Sequence, residues 1–133
     1  MGWSSFEVRT KRRSHLVDIT DQVAQAVARS GAVDGVCHVF VPHTTAGVTI
    51  NEGADPDVAF DIETQLSRMV PRDAGFRHAE GNSDSHVQTA LVGPACTAPV
   101  RQGKLALGTW QAIFLCEWDG PRTRTVQVAV APL

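Results

Sequence analysis

Residues 97–131 read TAPVRQGKLALGTWQAIFLCEWDGPRTRTVQVAVA, and this stretch decides the class of fold. Four runs, at 97–101, 104–107, 110–117 and 123–131, read as strands, and the last of them alternates between inward and outward residues with a period of two. A period of two is typical of β-strands. Turn-forming residues follow the first run at 102–103 and the third at 119–121. The pattern predicts four consecutive strands that pair as an antiparallel meander.

The preceding part of the chain adds further strands and a first helix. Residues 6–9, 15–19, 36–41 and 48–50 alternate or look extended, which predicts strands. Between the second and third of these runs, Thr20 or Asp21 offers an N-cap for a segment rich in Ala and Val. We expect that helix to close at Gly31.

Two later segments predict helices. Asp55 offers a capping oxygen, and Pro56 suits the first helical position. An apolar stripe follows, which we expect to pack on the sheet: Val58, Ile62, Leu66 and Met69. The helix should end before Pro71. A third, short helix is expected from Asp84 or Ser85 to Gly93, with Val87 and Leu91 as its buried side. Helices packed on an antiparallel sheet define the α+β class.

Length and charge narrow the classes of function. The 133 residues fit a single domain, 1–133, with one core. The formal net charge of −2 argues against a nucleic-acid partner. We find neither the apolar core of a signal peptide nor a run long enough to span a bilayer, so we expect no membrane partner and a cytoplasmic location. Cys37, Cys96 and Cys116 lie in apolar runs, where we expect them as reduced core residues.

Three histidines stand among polar residues that the fold itself does not require. Neutral imidazole is a common ligand of zinc, and three imidazoles with an open fourth position form a catalytic metal site. His43, His78 and His86 are the candidate ligands. Their spacing matches no recognised metal motif. On the alternative interpretation, His43 is a hydrogen-bonded residue at a strand end, His78 lies on a loop surface and His86 faces water.

Acidic and amide side chains precede the second helix. Asn51, Glu52 and Asp55 are candidates for binding a substrate or a divalent ion, or for accepting a proton. For Asp55 the competing interpretation is a simple helix cap. Because helix N-termini attract anions through free N–H groups, the starts near Pro56 and Ser85 are also candidate phosphate sites.

A glycine breaks the strand pattern at position 108 and is followed by Thr109, Trp110 and Gln111. This break fits either a β-bulge or a close approach of the backbone to a ligand. Arg101 and Lys104 flank the turn at 102–103. Such residues are either solvated charges or phosphate contacts.

Six short motifs resemble those of one known family. In order along the chain they are HTTA at 43–46, TINE at 49–52, ADPD at 54–57, RH at 77–78, EGN at 80–82 with Asp84 and His86 after it, and LALGTWQ at 105–111. In order and spacing they resemble the YjbQ-like family, also called the secondary thiamine-phosphate synthase family. The similarity extends from about residue 6 to the C-terminal strand.

The resemblance implies a particular architecture and assembly. It implies an α+β fold, an antiparallel β-sandwich with two to three helices, that forms a homotrimer with clefts near the subunit boundaries. It also implies a divalent metal ion, zinc or magnesium, or an anion near the matched histidines His43, His78 and His86. The expected partners are therefore a small phosphorylated molecule and further copies of the chain.

The family name implies a chemistry: pyrimidine-methyl diphosphate and thiazole phosphate are joined with release of pyrophosphate. By position, the resemblance assigns ion or phosphate binding to the three histidines, proton or ion handling to Glu52 and Asp55, and the shaping of the pocket to Trp110 and Gln111. We place His78 with Glu52 and Asp55 as a catalytic candidate. The alternatives are a non-catalytic trimer that binds a metal ion or a phosphorylated metabolite, and a metal-assisted hydrolase.

Overall fold

The computed structural model describes residues 2–133, which form eight strands and three helices. In chain order these are β1 Ser4–Arg9, β2 His15–Asp18, α1 Thr20–Ser30, β3 Gly35–Phe40, β4 Ala46–Glu52, α2 Pro56–Met69, α3 Ser83–Val92, β5 Ala95–Arg101, β6 Lys104–Leu105, β7 Gln111–Glu117 and β8 Thr123–Pro132. The predicted elements are all present, with ends shifted by one or two residues in most cases. None of the helices within residues 2–133 has the length and apolar content needed to cross a bilayer.

The strands form two antiparallel sheets. One has five strands in the order β1-β8-β3-β5-β6, and the other has three in the order β2-β7-β4. The predicted four-strand meander is therefore wrong, because only β5 and β6 pair with each other. β7 lies between β2 and β4, whereas β8 lies between β1 and β3. Alternation shows which side of a strand is buried, but it does not show which strand lies beside it.

Two apolar clusters hold the sheets and helices together. The larger lies between the two sheets and α1, and includes Val23 and Val27 of α1, Val39 and Val128 of the five-stranded sheet, and Ile113 and Leu115 of β7. The smaller covers the other face of the three-stranded sheet, where Phe114 and Trp118 meet Ile62 and Leu66 of α2. β7 is thus covered on both faces, and six of its seven residues are buried.

The C-terminal end of α1 and the N-terminal end of α2 follow their sequence signals. The predicted N-cap of α1 at Thr20 or Asp21 is wrong, because the N-cap is Ile19 and no side chain caps the helix. Gly31 ends α1 in a left-handed conformation, φ 73°, which glycine adopts without a Cβ clash. The side chain of Asp55 accepts a hydrogen bond from the backbone N–H of Asp57, 2.9 Å, so the predicted cap of α2 is confirmed. The apolar stripe of α2 contacts the sheet only as far as Leu66, because Met69 is 58% exposed.

The buried side of α3 is polar, so the predicted burial of Val87 and Leu91 is wrong. Val87 is 39% exposed and Leu91 58% exposed. The buried residues of α3 are Ser83, Asp84, Ser85, Gln88 and Thr89. This side faces polar groups: Arg13 binds the Asp84 carboxylate at 3.1 Å, and Ser85 Oγ donates to the Trp118 carbonyl at 2.5 Å. Asp84 and Ser85 are therefore partnered, as buried polar side chains generally are, whereas Gln88 Oε1 and Thr89 Oγ1 have no hydrogen-bond partner among residues 2–133.

The three cysteines are unpaired thiols, as expected. Cys37 and Cys116 are buried, and Cys96 is partly buried. Burial raises the pKa of Cys37 and of Cys96 to about 11. Burial also raises the pKa of Cys116. Because the thiolate is the reactive form, none of the three is suited to be a nucleophile at neutral pH.

Candidate functional site

The loop before α3 and the first turns of that helix form a cleft of about 470 Å³. We call it the histidine cleft. Its lining residues are Phe76, Arg77, His78, Ser83, His86 and Val87. Two of the three histidines predicted to form a site are therefore brought together by the fold.

The two imidazoles of the histidine cleft meet edge to face. The ring centroids of His78 and His86 are 5.5 Å apart and the rings are inclined at 81°. His78 Nδ1 is 2.7 Å from Ser83 Oγ, which fixes the orientation of the ring. The other nitrogen, Nε2, lies 3.6 Å from a carboxylate oxygen of Glu80. The first turn of α3 thus orients His78 directly.

Apart from the Glu80 carboxylate beside His78, the charged groups at the cleft suit an anion. Asn82, at the N-cap of α3, makes no side-chain cap hydrogen bond, so no side chain caps the first N–H groups of the helix, and the Asn82 carbonyl accepts from the N–H groups of Ser85 and His86. The carboxylate of Asp84 in the first turn is neutralised by Arg13. Arg77 forms no ion pair with any of residues 2–133. A free guanidinium and a helix N-terminus are both suited to phosphate oxygens.

The loop that joins β7 and β8 supports the start of α3. Asn82 Nδ2 donates to Asp119 Oδ2 at 2.9 Å, and Arg122 binds the same oxygen at 2.9 Å. Burial by itself raises the pKa of Asp119, but the hydrogen bonds from Asn82 and Arg122 outweigh burial and hold the pKa below its usual value. Asp119 therefore stays ionised and keeps the N-terminus of α3 in place.

His43 lies outside the histidine cleft and contacts the five-stranded sheet. Its Nε2 accepts a hydrogen bond from the backbone N–H of Thr125 in β8, 2.9 Å. Burial lowers the pKa of His43, the neighbouring Arg124 lowers it further, and Glu117 opposes them. This contact matches the alternative interpretation, in which His43 is a hydrogen-bonded residue at a strand end.

The expected metal triad is not assembled within one chain. Among residues 2–133 there is no group of three or more His, Cys, Asp or Glu side chains placed to hold one metal ion. His43 also already uses its Nε2 lone pair to accept the Thr125 N–H. The residues of a single chain therefore do not fit a three-histidine metal site, and metal binding stays a prediction.

The acidic and tryptophan candidates form a second group. Asn51 and Glu52 end β4, and in the sheet register Glu52 lies opposite Gln111. A cleft of about 550 Å³, the tryptophan pocket, lies beside them. Its lining residues are Asp18, Thr20, Asp21, Gly53, Ala54, Thr109, Trp110, Gln111 and Ala112. The structure thus brings the predicted residues of 51–55 and 109–111 to one end of the three-stranded sheet.

Local hydrogen bonds occupy the side chains of this second group. Glu52 Oε2 accepts from the backbone N–H of Asp55, 2.9 Å, while Asp55 caps α2. Gln111 Oε1 accepts from the Gly108 N–H, 2.8 Å, and closes the turn before β7. The side chain of Trp110, in contrast, is exposed over 65% of its surface.

The two groups lie at opposite ends of β7. Gln111 begins that strand, and Glu117 ends it next to Trp118, whose carbonyl binds α3. Six residue steps of a strand span about 20 Å. Arg101 and Lys104 join neither group, because they face each other on the β5–β6 hairpin of the five-stranded sheet. Together with His43, which lies outside the histidine cleft, one chain therefore presents the predicted residues in four separate places.

The sequence interpretation missed a buried polar network. Arg124 Nε donates to Glu117 Oε1 at 2.8 Å, and Thr10 Oγ1 donates to the same oxygen at 2.8 Å. Glu117 is 0% exposed and Arg124 5% exposed. A signal was available, because position 124 is in phase with Val126 and the other inward-facing residues of β8.

Comparison with known proteins identifies relatives along nearly the whole chain. Residues 4–132 match the model of the family described as UPF0047 protein YjbQ-like. A UPF0047 protein of Methanocaldococcus jannaschii is 47% identical over 125 residues, which cover 94% of this chain and 91% of that protein. The UPF0047 protein YugU of Bacillus subtilis is 41% identical, with 93% and 95% covered.

Solved structures show the same fold. A protein of the YjbQ/UPF0047 family from Clostridium acetobutylicum superposes with a TM-score of 0.94 at 44% identity, covering 96% of this chain and 99% of that one. A YbjQ-like protein of unknown function from Sulfolobus solfataricus also gives 0.94, at 38% identity, with 99% and 97% covered.

Proposed function

Because the chain belongs to the UPF0047 protein YjbQ-like family, we propose that it binds a small phosphorylated molecule in the histidine cleft and acts as a thiamine phosphate synthase-like transferase. The observation that carries the proposal is the pairing of His78 and His86, 5.5 Å apart, at the start of α3. Imidazole, guanidinium and helix N–H groups all stabilise phosphate oxygens.

The proposed reaction needs groups that stabilise the departing pyrophosphate. As the bond between the pyrimidine methylene carbon and the diphosphate oxygen breaks, negative charge develops on that oxygen. Arg77 and His86 line the cleft beside the start of α3, and in this proposal their side chains and the helix N-terminus bind that charge. The cleft also contains Phe76 and Val87, which suit an apolar ring next to the phosphate.

We further propose that the protein acts as a homotrimer. The acidic group at 51–55 lies about 20 Å from the histidine cleft along β7. A neighbouring copy is therefore needed to bring the catalytic candidates Glu52 and Asp55 to His78. Exposed Val87 and Leu91 on α3 support an interface there, because large apolar side chains that face solvent often mark contacts between proteins. We also propose a cytoplasmic location, which the three unpaired thiols support.

A second candidate function is a non-catalytic trimer that binds a phosphorylated metabolite. The observation that favours it is the use of the two acidic candidates in local structure. Asp55 caps α2, and Glu52 accepts from the Asp55 N–H. A carboxylate held in this way is a weaker candidate for proton transfer than a free one.

The test measures pyrophosphate release from both thiamine precursors, by metal-free protein and by protein supplied with Mg²⁺, Mn²⁺ or Zn²⁺. The variant is His78→Ala, and the matched control is His38→Ala, which removes a half-buried imidazole from β3, outside the cleft. Release that is lost only in His78→Ala supports the transferase. Equal release by both variants contradicts it. Pyrophosphate binding that needs His78, without turnover under any ion, favours the binding protein.

A further inference from the structure

His43 takes the place of a strand partner for β8. β8 pairs with β3 only as far as Gln127, which lies opposite Phe40, the last residue of β3. Thr125, two residues before Gln127, therefore lies past the end of β3. Its backbone N–H is bound instead by His43 Nε2 at 2.9 Å. The imidazole thus satisfies a donor that the sheet leaves unpaired.

The chemistry of this contact determines the tautomer of the ring. A backbone N–H can only donate, so Nε2 of His43 must carry the lone pair. A neutral imidazole has one N–H and one lone pair, which leaves the proton on Nδ1. We propose that His43 is held as the neutral Nδ1–H tautomer, so that its remaining ring nitrogen is a hydrogen-bond donor and His43 is not a metal ligand.

Arg124 and Glu117 are the positioning residues for this arrangement. Arg124 Nη2 donates to the carbonyl of Thr45 at 3.1 Å and to its Oγ1 at 2.7 Å. Arg124 is adjacent to Thr125 in β8, and Thr45 is two residues beyond His43. One buried guanidinium therefore connects both partners of the Nε2 hydrogen bond. Glu117 in turn holds Arg124 through its Nε at 2.8 Å.

The charges around His43 also favour the neutral ring. Burial lowers the pKa of His43, and the Arg124 guanidinium lowers it further. Glu117 is the one charged neighbour with the opposite effect, and its carboxylate is already bound by Arg124 and Thr10. A protonated ring would lose the acceptor for Thr125 and add a second positive charge beside Arg124.

This inference goes beyond the proposed function, because His43 does not line the histidine cleft. The inference about His43 and the proposed function can each be wrong without affecting the other. If phosphate binding is unchanged in His78→Ala, the proposed function is wrong and the tautomer of His43 is unaffected. If Nδ1 of His43 proves unprotonated, the inference is wrong and the histidine cleft is unaffected.

The direct test is nitrogen-15 NMR of the histidine rings in uniformly labelled protein, with His43→Ala to assign the signals. We expect the neutral ring of His43 to show a protonated Nδ1 and an unprotonated Nε2. We also expect the Thr125 amide to exchange with solvent about 5-fold faster or more in His43→Ala. A protonated Nε2, or an unchanged exchange rate at Thr125, would overturn the proposal.

A matched pair of variants tests the positioning role. Thr45 is buried and its hydroxyl accepts from Arg124, whereas the neighbouring Thr44 is exposed. Thr45→Val keeps the side-chain shape and removes that acceptor. We expect mixed tautomers at His43 in Thr45→Val and the native signals in Thr44→Val. Native His43 signals in a folded Thr45→Val protein would show that Arg124 does not position the ring.

Adding Zn²⁺ tests the exclusion of metal. We expect the ring signals of His43 to be unchanged by Zn²⁺ at concentrations that shift those of His78 and His86. A selective shift of His43 would overturn its assignment as a donor.

Discussion

Glu117 and Arg124 link the two sheets through a single buried ion pair. Glu117 ends β7 in the three-stranded sheet, and Arg124 lies near the start of β8 in the five-stranded sheet. Both side chains are at least 94% buried. The remaining acceptor capacity of Glu117 is used by Thr10 and by the backbone N–H of Asp119. The pair therefore fixes one end of the sandwich with no unpaired charge.

Removal of one partner from this pair should strongly destabilise the protein. Glu117→Leu leaves the Arg124 guanidinium buried without a counter-charge, and we expect the free energy of unfolding to fall by about 3–5 kcal/mol. The double variant Glu117→Leu with Arg124→Met should regain most of that loss, because both charges are gone. Urea unfolding measures each value, and exposed Glu7→Leu is the control. A loss below about 1 kcal/mol in the single variant would contradict the prediction.

Acid should weaken the fold through the same carboxylate. Burial by itself raises the pKa of Glu117, but its hydrogen bonds with Arg124, Asp119 and Thr10 hold the pKa below its ordinary value of 4.5. A carboxyl with a lowered folded pKa adds stability above its unfolded pKa, and that stability is lost as pH falls through the folded pKa. We expect the free energy of unfolding to be steady near pH 7 and to decrease below about pH 5.

The control for the pH dependence is Glu117→Gln. This variant should be less stable at neutral pH and should show a smaller decrease in acid, since one titrating group has been removed. The lowered pKa of Asp119 leaves part of the acid dependence in place. Urea unfolding at several pH values from 7 to 3 measures both curves, and identical slopes would contradict the assignment to Glu117.

The outer face of α3 should control self-association and leave the stability of the chain nearly unchanged. Val87 and Leu91 are exposed within one chain, so Leu91→Asp should change the free energy of unfolding of the separated chain by no more than about 0.5 kcal/mol. Light scattering should give the mass of three chains for the native protein and of one chain for Leu91→Asp. The control is Val33→Asp, at a residue that is 66% exposed between α1 and β3. An unchanged mass in Leu91→Asp would place the interface elsewhere.

Substitutions of Asp55 separate a capping role from a catalytic one. Asp55→Ala removes the oxygen that accepts from the Asp57 N–H, and we expect a loss of about 1 kcal/mol in stability. Asp55→Asn keeps a capping oxygen and should be close to native in stability. If Asp55 also handles a proton, Asp55→Asn will lose pyrophosphate release while staying folded. Native turnover in Asp55→Asn would show that Asp55 acts as a helix cap and not in catalysis.

Local signals in the sequence predicted the elements well. The capping oxygen of Asp55, the proline after it and the glycine at position 31 affect only the backbone within a few residues. Their effect on helix ends therefore does not depend on where the segment lies in the fold. The same holds for strand alternation, which follows from the geometry of a single strand. The family motifs at 43–57, 77–86 and 105–111 are also short and contiguous, so their order along the chain was enough to indicate the family.

Contacts between distant segments could not be predicted in this way. The local sequence patterns of β7 and β8 are the same whether these strands pair with each other or with β4 and β3, and only the tertiary structure decided for the second arrangement. The polar side of α3 is the buried one because it forms hydrogen bonds with Arg13 and with the Trp118 carbonyl, which are distant in sequence.

The sequence by itself determined the α+β class, the family and the identity of the polar residues, because each depends on local pattern or on motifs in order. The tertiary structure alone decided which of those residues meet. It placed His78 next to His86 and the acidic group about 20 Å away along β7. It also placed His43 Nε2 where it accepts a hydrogen bond from the Thr125 N–H. The physical reason is that proximity in space is set by strand pairing and packing between segments far apart in sequence, and no local preference encodes these.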